Sequence, residues 1–504
     1  MGLYDFTTYS IMKRNARVYN DRVALMCGKQ RISYQQILEK VDLLASGFMS
    51  VGINKGDRIG IFARNSWEFL VICGAAAKIG AILMPINWRL TSEEAEYIIN
   101  DGSPKVLIFG HEFQSLIAPM ISKFSFIKEF CTIDEYKSYF RTLSSLTENE
   151  TVPSNVDVCS DEPYLIIYTG AVDGKPRGAV LSHRGILASN IQSMYYFRLS
   201  TQDVHLVILP MFHLASIAMT LSIMQAGGLN IILPSFDVGL ALKHIEEDKV
   251  TIFAEFSPIL KNLMSKAKED KYDLSSLRIV CGLDDIETVK RFEAMTGARF
   301  WSAYGQTETS GMITYSPHFE KSGSVGFPGF LAQIEIMDDY GKTLEVGGIG
   351  EIVLRGPMVF KGYWNSENNN EFTFRDGWYH TGDMGRFDEY GQLWYSGRSS
   401  AKELIKTGGE NVYPVEVERI IMEHPSIEDV AVIGVPDPQW GEAIKSICVL
   451  KKEKSLSESE LIEFVGTRIA RFKKPKHVIF VSDIPKTKDG YNDRDRVKEY
   501  YGRA

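Results

Sequence analysis

The feature that most constrains the fold is a repeated alternation of helix-like and strand-like apolar segments. Helical spacing of apolar residues marks residues 34–51 and 67–79, and strand-like apolar runs lie at residues 58–62, 81–85, 105–109, 205–209, 230–233 and 278–280. Apolar runs of this kind are typical of strands whose two faces are both covered by helices. The alternation therefore predicts an α/β fold with layered sheets.

The second half of the chain has a different pattern. Between Gly326 and Val359, short alternating runs separated by glycine and proline predict a small region of antiparallel strands. A compact unit with β-like and α-like segments runs from about Gly397 to the C-terminus. A chain of 504 residues is also too long for one hydrophobic core, so we expect at least two domains.

The composition is that of an ordinary globular protein, with 44% hydrophobic and 24% charged residues. A net charge of −8 gives no general attraction to nucleic acid, so we expect small-molecule partners and no nucleic acid. The six cysteines are scattered, which predicts neither a disulfide framework nor a zinc site and fits a reducing cytoplasm. The chain has no signal-peptide pattern and no apolar run of roughly 18 residues, so we expect a cytoplasmic protein without a membrane span.

A glycine-rich loop with two basic residues follows an apolar run at residues 165–167. Gly170, Gly174 and Gly178 let the backbone approach a ligand closely. Lys175 and Arg177 add positive charge for phosphate oxygens. The spacing differs from that of the G-x-x-x-x-G-K-[ST] phosphate loop, and taken alone the segment is typical of a surface turn.

Four further motifs follow this loop in a recognisable order. They are Tyr-Gly-Gln-Thr-Glu at 304–308, Tyr-His-Thr-Gly-Asp at 379–383, Gly-Arg at 397–398 and Gly-Gly-Glu-Asn-Val-Tyr-Pro at 408–414. With them, the chain resembles the adenylate-forming superfamily of acyl-CoA synthetases, luciferases and the adenylation domains of peptide synthetases. The resemblance extends from about Tyr34 to the C-terminus.

This resemblance implies both an architecture and an activity. The expected parts are a large N-terminal domain (1–397) that binds adenylate and acyl groups, a hinge (398–402), and a small mobile α+β lid (403–504). The N-terminal domain is expected to contain several subdomains, with layered sheets and a small β region. The implied activity is that of an AMP-forming carboxylic acid–CoA ligase of the kind used in fatty acid metabolism, with ATP, Mg²⁺ and CoA. Such enzymes first make an acyl-adenylate and pyrophosphate, and CoA thiolate then displaces AMP after the lid rotates.

The resemblance also implies roles for individual residues. Glu308 is expected to hold Mg²⁺ and to act in catalysis with Thr169, Lys175 and Arg177. The nucleotide and CoA are expected to contact Gly282, Tyr304, Gly305, Gln306, Thr307, Asp383, Arg398, Gly408, Gly409 and Trp440. The carboxylic acid is expected to contact His213, Trp301 and Met312.

Each of these residues also has an ordinary structural interpretation. Without the neighbouring motifs, Glu308 would be interpreted as a solvated turn residue and Asp383 as the first residue of an Asx-turn. His213 would be interpreted as a hydrogen-bonded packing residue, and with the resemblance it is assigned to substrate gating. Phe212 and Phe256 join the expected substrate residues in predicting a pocket that accepts apolar or aromatic acids.

Three departures from the pattern of the superfamily affect the predicted chemistry. The phosphate loop lacks the usual hydroxyl residues, and Asp173 adds a negative charge there. Tyr491 occupies the position at which relatives have the lid lysine that stabilises charge during adenylation. Ser399 and Ser400 lengthen the hinge, so that Lys402 aligns with its pivot residue.

These departures leave two alternatives open. One is a specialised or impaired member that binds acyl-adenylate or acyl-CoA but adenylates poorly. The other is a non-catalytic sensor of an acyl ligand. The sequence does not name the acid, and it leaves a homodimer open as the oligomeric state.

Overall fold

The computed structural model describes most of the chain. The described residues are 2–134, 140–148, 156–170, 175–318, 320–321, 323–398, 404–487 and 492–503. Three features of the sequence analysis lie outside them, namely residues 171–174 of the glycine-rich loop with Asp173, the hinge residues 399–402, and Tyr491.

Fourteen α-helices fall within the described residues. They are α1 (Thr8–Tyr19), α2 (Tyr34–Ser50), α3 (Trp67–Ile79), α4 (Ser92–Gly102), α5 (Gln114–Ile117), α6 (His183–Tyr196), α7 (Leu214–Ala226), α8 (Val238–Glu247), α9 (Ile259–Asp270), α10 (Ile286–Thr296), α11 (Glu367–Thr373), α12 (Pro414–Met422), α13 (Glu458–Gly466) and α14 (Arg494–Tyr501). The two helices predicted from apolar spacing are α2 and α3. A capping box begins helix α2. The Ser33 hydroxyl accepts a hydrogen bond from the Gln36 backbone N–H, and the Gln36 side-chain oxygen accepts one from the Ser33 backbone N–H.

The larger of two mixed sheets has nine strands. They are β1 (Val23–Cys27), β2 (Gln30–Ser33), β10 (Val204–Val207), β11 (Leu229–Ile232), β12 (Ile252–Phe256), β13 (Ile279–Leu283), β14 (Arg299–Ser302), β17 (Thr314–Pro317) and β18 (Phe327–Pro328). Their order is β18-β17-β14-β13-β12-β10-β11-β1-β2, with parallel pairing from β14 to β1 and antiparallel pairing at both edges. The parallel strands bring their C-terminal ends to one edge of the sheet.

The second mixed sheet has seven strands. They are β3 (Arg58–Phe62), β4 (Ile82–Pro85), β5 (Val106–Phe109), β6 (Glu129–Thr132), β7 (Arg141–Thr142), β8 (Pro163–Thr169) and β9 (Arg177–Ser182). Their order is β7-β6-β5-β3-β4-β8-β9, and all neighbours are parallel except the β8–β9 hairpin. The glycine-rich segment connects the two strands of this hairpin.

Two antiparallel units follow. A short ribbon pairs β15 (Gly305–Gln306) with β16 (Gly311–Met312). A four-stranded sheet contains β19 (Gln333–Met337), β20 (Gly350–Arg355), β21 (Tyr379–Phe387) and β22 (Leu393–Arg398), paired in that order. This sheet confirms the antiparallel region predicted from the alternating runs.

The C-terminal part has a sheet of its own. It contains β23 (Ile405–Thr407), β24 (Glu410–Val412), β25 (Ile427–Asp437), β26 (Gly441–Leu450) and β27 (His477–Val481). The order is β24-β23-β26-β25, and β27 also pairs with β26. Helices α12 and α13 share a core with these strands that includes Val417, Val432 and Leu461.

The largest core lies in the N-terminal part and joins the two mixed sheets. Ile61 of β3, Val207 of β10 and Ile217 of α7 are all buried in it. The C-terminal core is separate, as expected for a second domain, and the boundaries predicted at residues 397, 402 and 403 stay predictions. The α/β fold class predicted from the sequence is confirmed. Within the described chain, no helix is both long enough and apolar enough to cross a membrane.

Candidate active site

A large cavity lies between the N-terminal part and the C-terminal sheet. Its volume is about 1930 Å³, whereas a pocket for one small ligand has roughly 300–1,000 Å³. Fourteen of the predicted site residues line it: Thr169, Arg177, His213, Gly282, Tyr304, Gly305, Gln306, Thr307, Glu308, Met312, Asp383, Arg398, Gly409 and Trp440. The cavity therefore has room for more than one substrate.

Three predicted site residues do not line the cavity. Lys175 is exposed near the end of the β8–β9 hairpin. Trp301 lies behind the cavity wall, where its ring packs edge-on against Phe197 at a centroid distance of 5.3 Å. Gly408 lies one residue from the lining residue Gly409, and it contacts Trp440 instead.

The β8–β9 hairpin brings two predicted residues together. Thr169 and Arg177 are paired across its end, so both face the cavity from neighbouring strands. The Arg177 guanidinium lies 5.7 Å from the centroid of the Tyr363 ring. A fixed positive charge at this position suits a phosphate group.

Glu308 lies in a single turn of 3₁₀-helix, Thr307–Thr309, at the cavity wall. Its Oε1 accepts hydrogen bonds from the Tyr363 hydroxyl at 2.8 Å and from the Thr169 hydroxyl at 3.4 Å. Burial and the neighbouring carboxylate of Glu308 raise the pKa of Tyr363, which keeps this hydroxyl a donor. A carboxylate oriented by hydroxyls is a hard oxygen donor, and such donors fit Mg²⁺.

Asp383 of β21 is the centre of a buried polar cluster, with 2% of its surface exposed. Its Oδ2 accepts hydrogen bonds from the Tyr304 hydroxyl at 2.7 Å and from the Gln306 amide at 2.6 Å. The Tyr379 hydroxyl in turn binds the Gln306 oxygen, which fixes the orientation of that amide. The cluster holds one oxygen of the carboxylate rigidly and leaves the other without a hydrogen bond among the described residues.

That second oxygen faces Arg398 of β22. The Arg398 Nε lies 3.0 Å from Asp383 Oδ1, within ion-pair distance, but the two atoms are not aligned for a hydrogen bond. Burial opposes the charge of Arg398, but the carboxylate of Asp383, together with Tyr413 and Tyr395, outweighs burial and raises the pKa of the guanidinium. A charged pair with an unused donor and an unused acceptor can bind ligand hydroxyl and phosphate groups.

The turn of the β23–β24 hairpin contains two glycines, of which Gly409 lies against Phe256 of the N-terminal part and Gly408 against Trp440 of the C-terminal part. Both have positive φ, 57° for Gly408 and 84° for Gly409, which glycine adopts without strain. A Cβ on Gly409 would lie 3.2 Å from the ring of Phe256, and one on Gly408 would lie 2.8 Å from the ring of Trp440. A side chain at position 409 would therefore crowd Phe256 at the cavity, and one at position 408 would clash with Trp440.

Tyr413, which follows the same hairpin, contacts the start of the glycine-rich loop. A Cβ on Gly170 would lie 2.1 Å from the Tyr413 ring, so the ring occupies the space that a side chain at Gly170 would need. The Tyr413 hydroxyl also accepts a hydrogen bond from Arg398 at 3.3 Å. The start of the glycine-rich segment therefore meets the C-terminal part at Gly170.

Two ion-pair groups, each centred on a buried residue of the C-terminal part, connect that part to the rest of the molecule. Glu410 binds Arg89 directly, and its Oε2 lies 3.4 Å from His213 Nε2. Burial raises the pKa of Glu410, but His213 and Arg89 outweigh it and lower that pKa to about 2. His213, predicted as a substrate gate, thus also lies beside a residue of the C-terminal hairpin.

The second group centres on Lys473, whose surface is 5% exposed. Its Nζ lies 2.7 Å from Glu94 of α4 and 2.6 Å from Glu416 of α12. Sequence reasoning did not find either group, because Arg89 and Glu94 belong to no motif that indicates a contact with residues more than 300 positions away.

The comparisons with known proteins agree with this geometry. The AMP-binding enzyme family matches residues 12–364, and the AMP-binding enzyme C-terminal domain matches residues 416–490. An indoleacetate–CoA ligase of Aromatoleum aromaticum is 31% identical over 498 residues, with 97% of each chain covered. A long-chain-fatty-acid–CoA ligase of Mycobacterium tuberculosis is also 31% identical, over 94% of this chain and 93% of its own.

A solved structure gives the same result. An o-succinylbenzoate CoA synthetase of Bacillus subtilis, bound with its product analogue, covers 98% of this chain and 99% of its own at 25% identity. The TM-score is 0.86. The superfamily resemblance read from the motifs is confirmed, and the chain belongs to the AMP-binding enzyme family.

Proposed function

We propose that the protein is an AMP-forming carboxylic acid–CoA ligase that works through an acyl-adenylate. The observation that carries this proposal is the meeting of three groups in one cavity. They are the Asp383 cluster, the carboxylate of Glu308 and the glycine hairpin of the C-terminal part. The ribose of a nucleotide, the Mg²⁺ that accompanies its phosphates and the arm of CoA need these three kinds of contact.

In the first step, a carboxylate oxygen of the acid attacks the α-phosphorus of ATP. The new bond joins the acyl oxygen to phosphorus, and pyrophosphate leaves with the electrons of the broken P–O bond. Asp383 is assigned to the ribose hydroxyls, and Arg398 and Arg177 to phosphate charge, since fixed cations stabilise charge that develops on oxygen. Glu308 would hold the Mg²⁺ that accompanies ATP, which neutralises part of the phosphate charge.

In the second step, the CoA thiolate attacks the acyl carbon and AMP leaves. Gly408, Gly409 and Trp440 are assigned to the arm of CoA, because glycines let a ligand pass close to the backbone and because Gly409 and Trp440 both line the cavity. The present orientation of the C-terminal part, with Gly409 beside Phe256, suits this step. The protein contributes mainly by positioning the reactants.

A ligase whose first step is slow is the second candidate. Tyr491 replaces a lysine of relatives, and Asp173 adds a negative charge in the phosphate loop. Lys486 is the nearest described lysine in sequence, and it lies outside the cavity lining, where it binds Asp429 and Asn492. In this orientation, Lys486 is not placed to replace the missing charge.

Two assays separate the candidates. Exchange of labelled pyrophosphate into ATP in the presence of a panel of carboxylic acids measures the first step, and CoA-dependent release of AMP from a supplied acyl-adenylate measures the second. A ligase supports both, a member with a slow first step supports only the second, and a sensor supports neither. Glu308→Gln should abolish exchange, whereas Glu335→Gln, on β19 outside the cavity lining, should not.

Two finer points are proposed along with the activity. A cytoplasmic location follows from the scattered free cysteines, and cell fractionation tests it. A homodimer is proposed as the assembly, and light scattering at several protein concentrations tests it.

A further inference from the structure

The inner end of the cavity is lined by sulfur-containing and small side chains. Met219 of α7, Cys281 of β13 and Met312 of β16 contribute the sulfur atoms, and Ala218 and Ala254 contribute methyl groups. His213 immediately precedes α7, and Met219 follows it by six residues, so the helix rises about 9 Å between them. This part of the cavity is therefore short.

The wall behind these side chains is solid. Phe197, Ile223 and Ile252 have no exposed surface, and Tyr315 has 2%. The Tyr315 hydroxyl donates to the Met312 carbonyl oxygen at 3.0 Å, and its ring stacks on Tyr196 at 4.3 Å. A substrate cannot extend through this aromatic cluster without displacing buried rings.

The chemistry of the lining favours one kind of occupant. Thioether and thiol sulfur atoms make favourable contacts with aromatic rings, and Met219, Cys281 and Met312 all belong to or pack against the same apolar cluster. Burial raises the pKa of Cys281 to about 12, so its thiol stays neutral and acts as a small apolar group. Glu255 also lines the cavity and adds to this rise, and burial raises the pKa of its own carboxyl well above the usual range, which favours its neutral form.

We propose that the carboxylic acid of this ligase is compact and carries an aromatic ring, which sits between Met219, Cys281 and Met312 with its carboxylate toward His213. This inference rests on the proposed function and specifies its substrate. A long unbranched fatty acid lacks both the length match and the ring contacts. Met219 is the residue that sets the depth of the site, since it lies on the helix whose first turn begins beside His213.

The test compares two series of acids with the full-length protein, ATP, Mg²⁺ and CoA. Benzoate, phenylacetate and 3-phenylpropanoate form the ring series, and nonanoate, dodecanoate and hexadecanoate form the alkyl series. We expect kcat/KM for the best ring acid to exceed that for nonanoate by about 10-fold and that for hexadecanoate by at least about 100-fold. A rate that rises from nonanoate to hexadecanoate, or a nonanoate rate equal to that of the best ring acid, overturns the inference.

A pair of variants tests the role of Met219. Met219→Ala should raise kcat/KM for dodecanoate relative to the ring acids by about 10-fold, because it deepens the site. Met224→Ala is the matched control, since Met224 lies on the same helix, is equally buried at 2% and does not line the cavity. Equal ratios in the two variants overturn the assignment.

The outcomes for the function and for its substrate differ. A protein that forms no AMP with any acid of either series contradicts the proposed function, and the substrate inference with it. A protein that uses the alkyl series best keeps the proposed function and loses only the inference. Thermal unfolding of both variants identifies any that fail to fold, and Met219→Val and Met224→Val, which shorten the side chain less, then replace them with the same expected direction.

Discussion

Replacing Asp383 by alanine tests the nucleotide site most directly. In the structure, Asp383 Oδ2 is fully used by Tyr304 and Gln306, whereas Oδ1 has no hydrogen bond among the described residues. A ribose hydroxyl that donates to Oδ1 would therefore gain a hydrogen bond to a charged group without breaking an existing one. The same substitution removes the ion pair with Arg398.

The magnitude follows from these contacts. A hydrogen bond to a charged partner contributes about 1.5–3 kcal/mol, so Asp383→Ala should weaken AMP binding about 10- to 150-fold. Removing one partner of a buried ion pair costs about 3–5 kcal/mol of unfolding free energy, because the remaining charge loses its partner. Binding and stability must therefore be measured separately.

Calorimetric titration with AMP measures the affinity, and urea unfolding measures the stability. Asp388→Ala is the matched control. Asp388 lies near the turn between β21 and β22, binds Lys321 at 2.6 Å and Trp394 at 2.9 Å, and is absent from the cavity lining. Both variants should lose stability, but only Asp383→Ala should lose affinity for AMP. Equal AMP affinity in the two variants would refute the assignment of Asp383 to the ribose.

Three other predictions concern the C-terminal part and the buried histidines. Tyr491→Lys should accelerate adenylate formation about 10²–10³-fold in single-turnover assays and leave the CoA step unchanged; a wild type already fast in adenylation would contradict this. Gly409→Ala should slow the CoA step more than Gly391→Ala, which has a similar φ of 80° but nothing within 4 Å of the added Cβ. Burial lowers the pKa of His183 to about 3 and of His205 to about 4, so only the unfolded chain binds protons as pH falls below about 6.5. As the pH falls from 6.5 to 4, each of these two histidines should therefore lower the free energy of unfolding by about 1.4 kcal/mol per pH unit. Urea titrations of His205→Gln should show about half of the combined pH dependence of the two histidines.

Much of the fold was predictable because it follows from apolar periodicity. The predicted strand at residues 58–62 is β3, and the predicted helix at 67–79 is α3, with the same bounds. The other predicted strands are present with shifted ends, for example residues 205–209 against Val204–Val207 for β10. Strand ends depend on hydrogen bonds to neighbouring strands, which a single segment does not encode.

The candidate site was predictable where a motif keeps its residues together. Tyr304 and Gln306 lie in the Tyr-Gly-Gln-Thr-Glu motif. In the structure, both donate hydrogen bonds to Asp383 of the Tyr-His-Thr-Gly-Asp motif. The position of Trp301 behind the wall was not predictable, because which face of β14 meets the cavity depends on packing against Phe197. The ion pairs of Glu410 and Lys473 were equally inaccessible, since they join segments that only the folded chain brings together.

The contact between Tyr413 and Gly170 makes one backbone position sensitive to the position of a whole domain. A methyl group on Gly170 would lie 2.1 Å from the Tyr413 ring and would force the two apart. The N-terminal part would keep its own core, because the three atoms nearest to the added methyl group all belong to the Tyr413 ring. Gly170→Ala would thus weaken the docking of the C-terminal part without unfolding either part. Small-angle scattering could detect the more open particle.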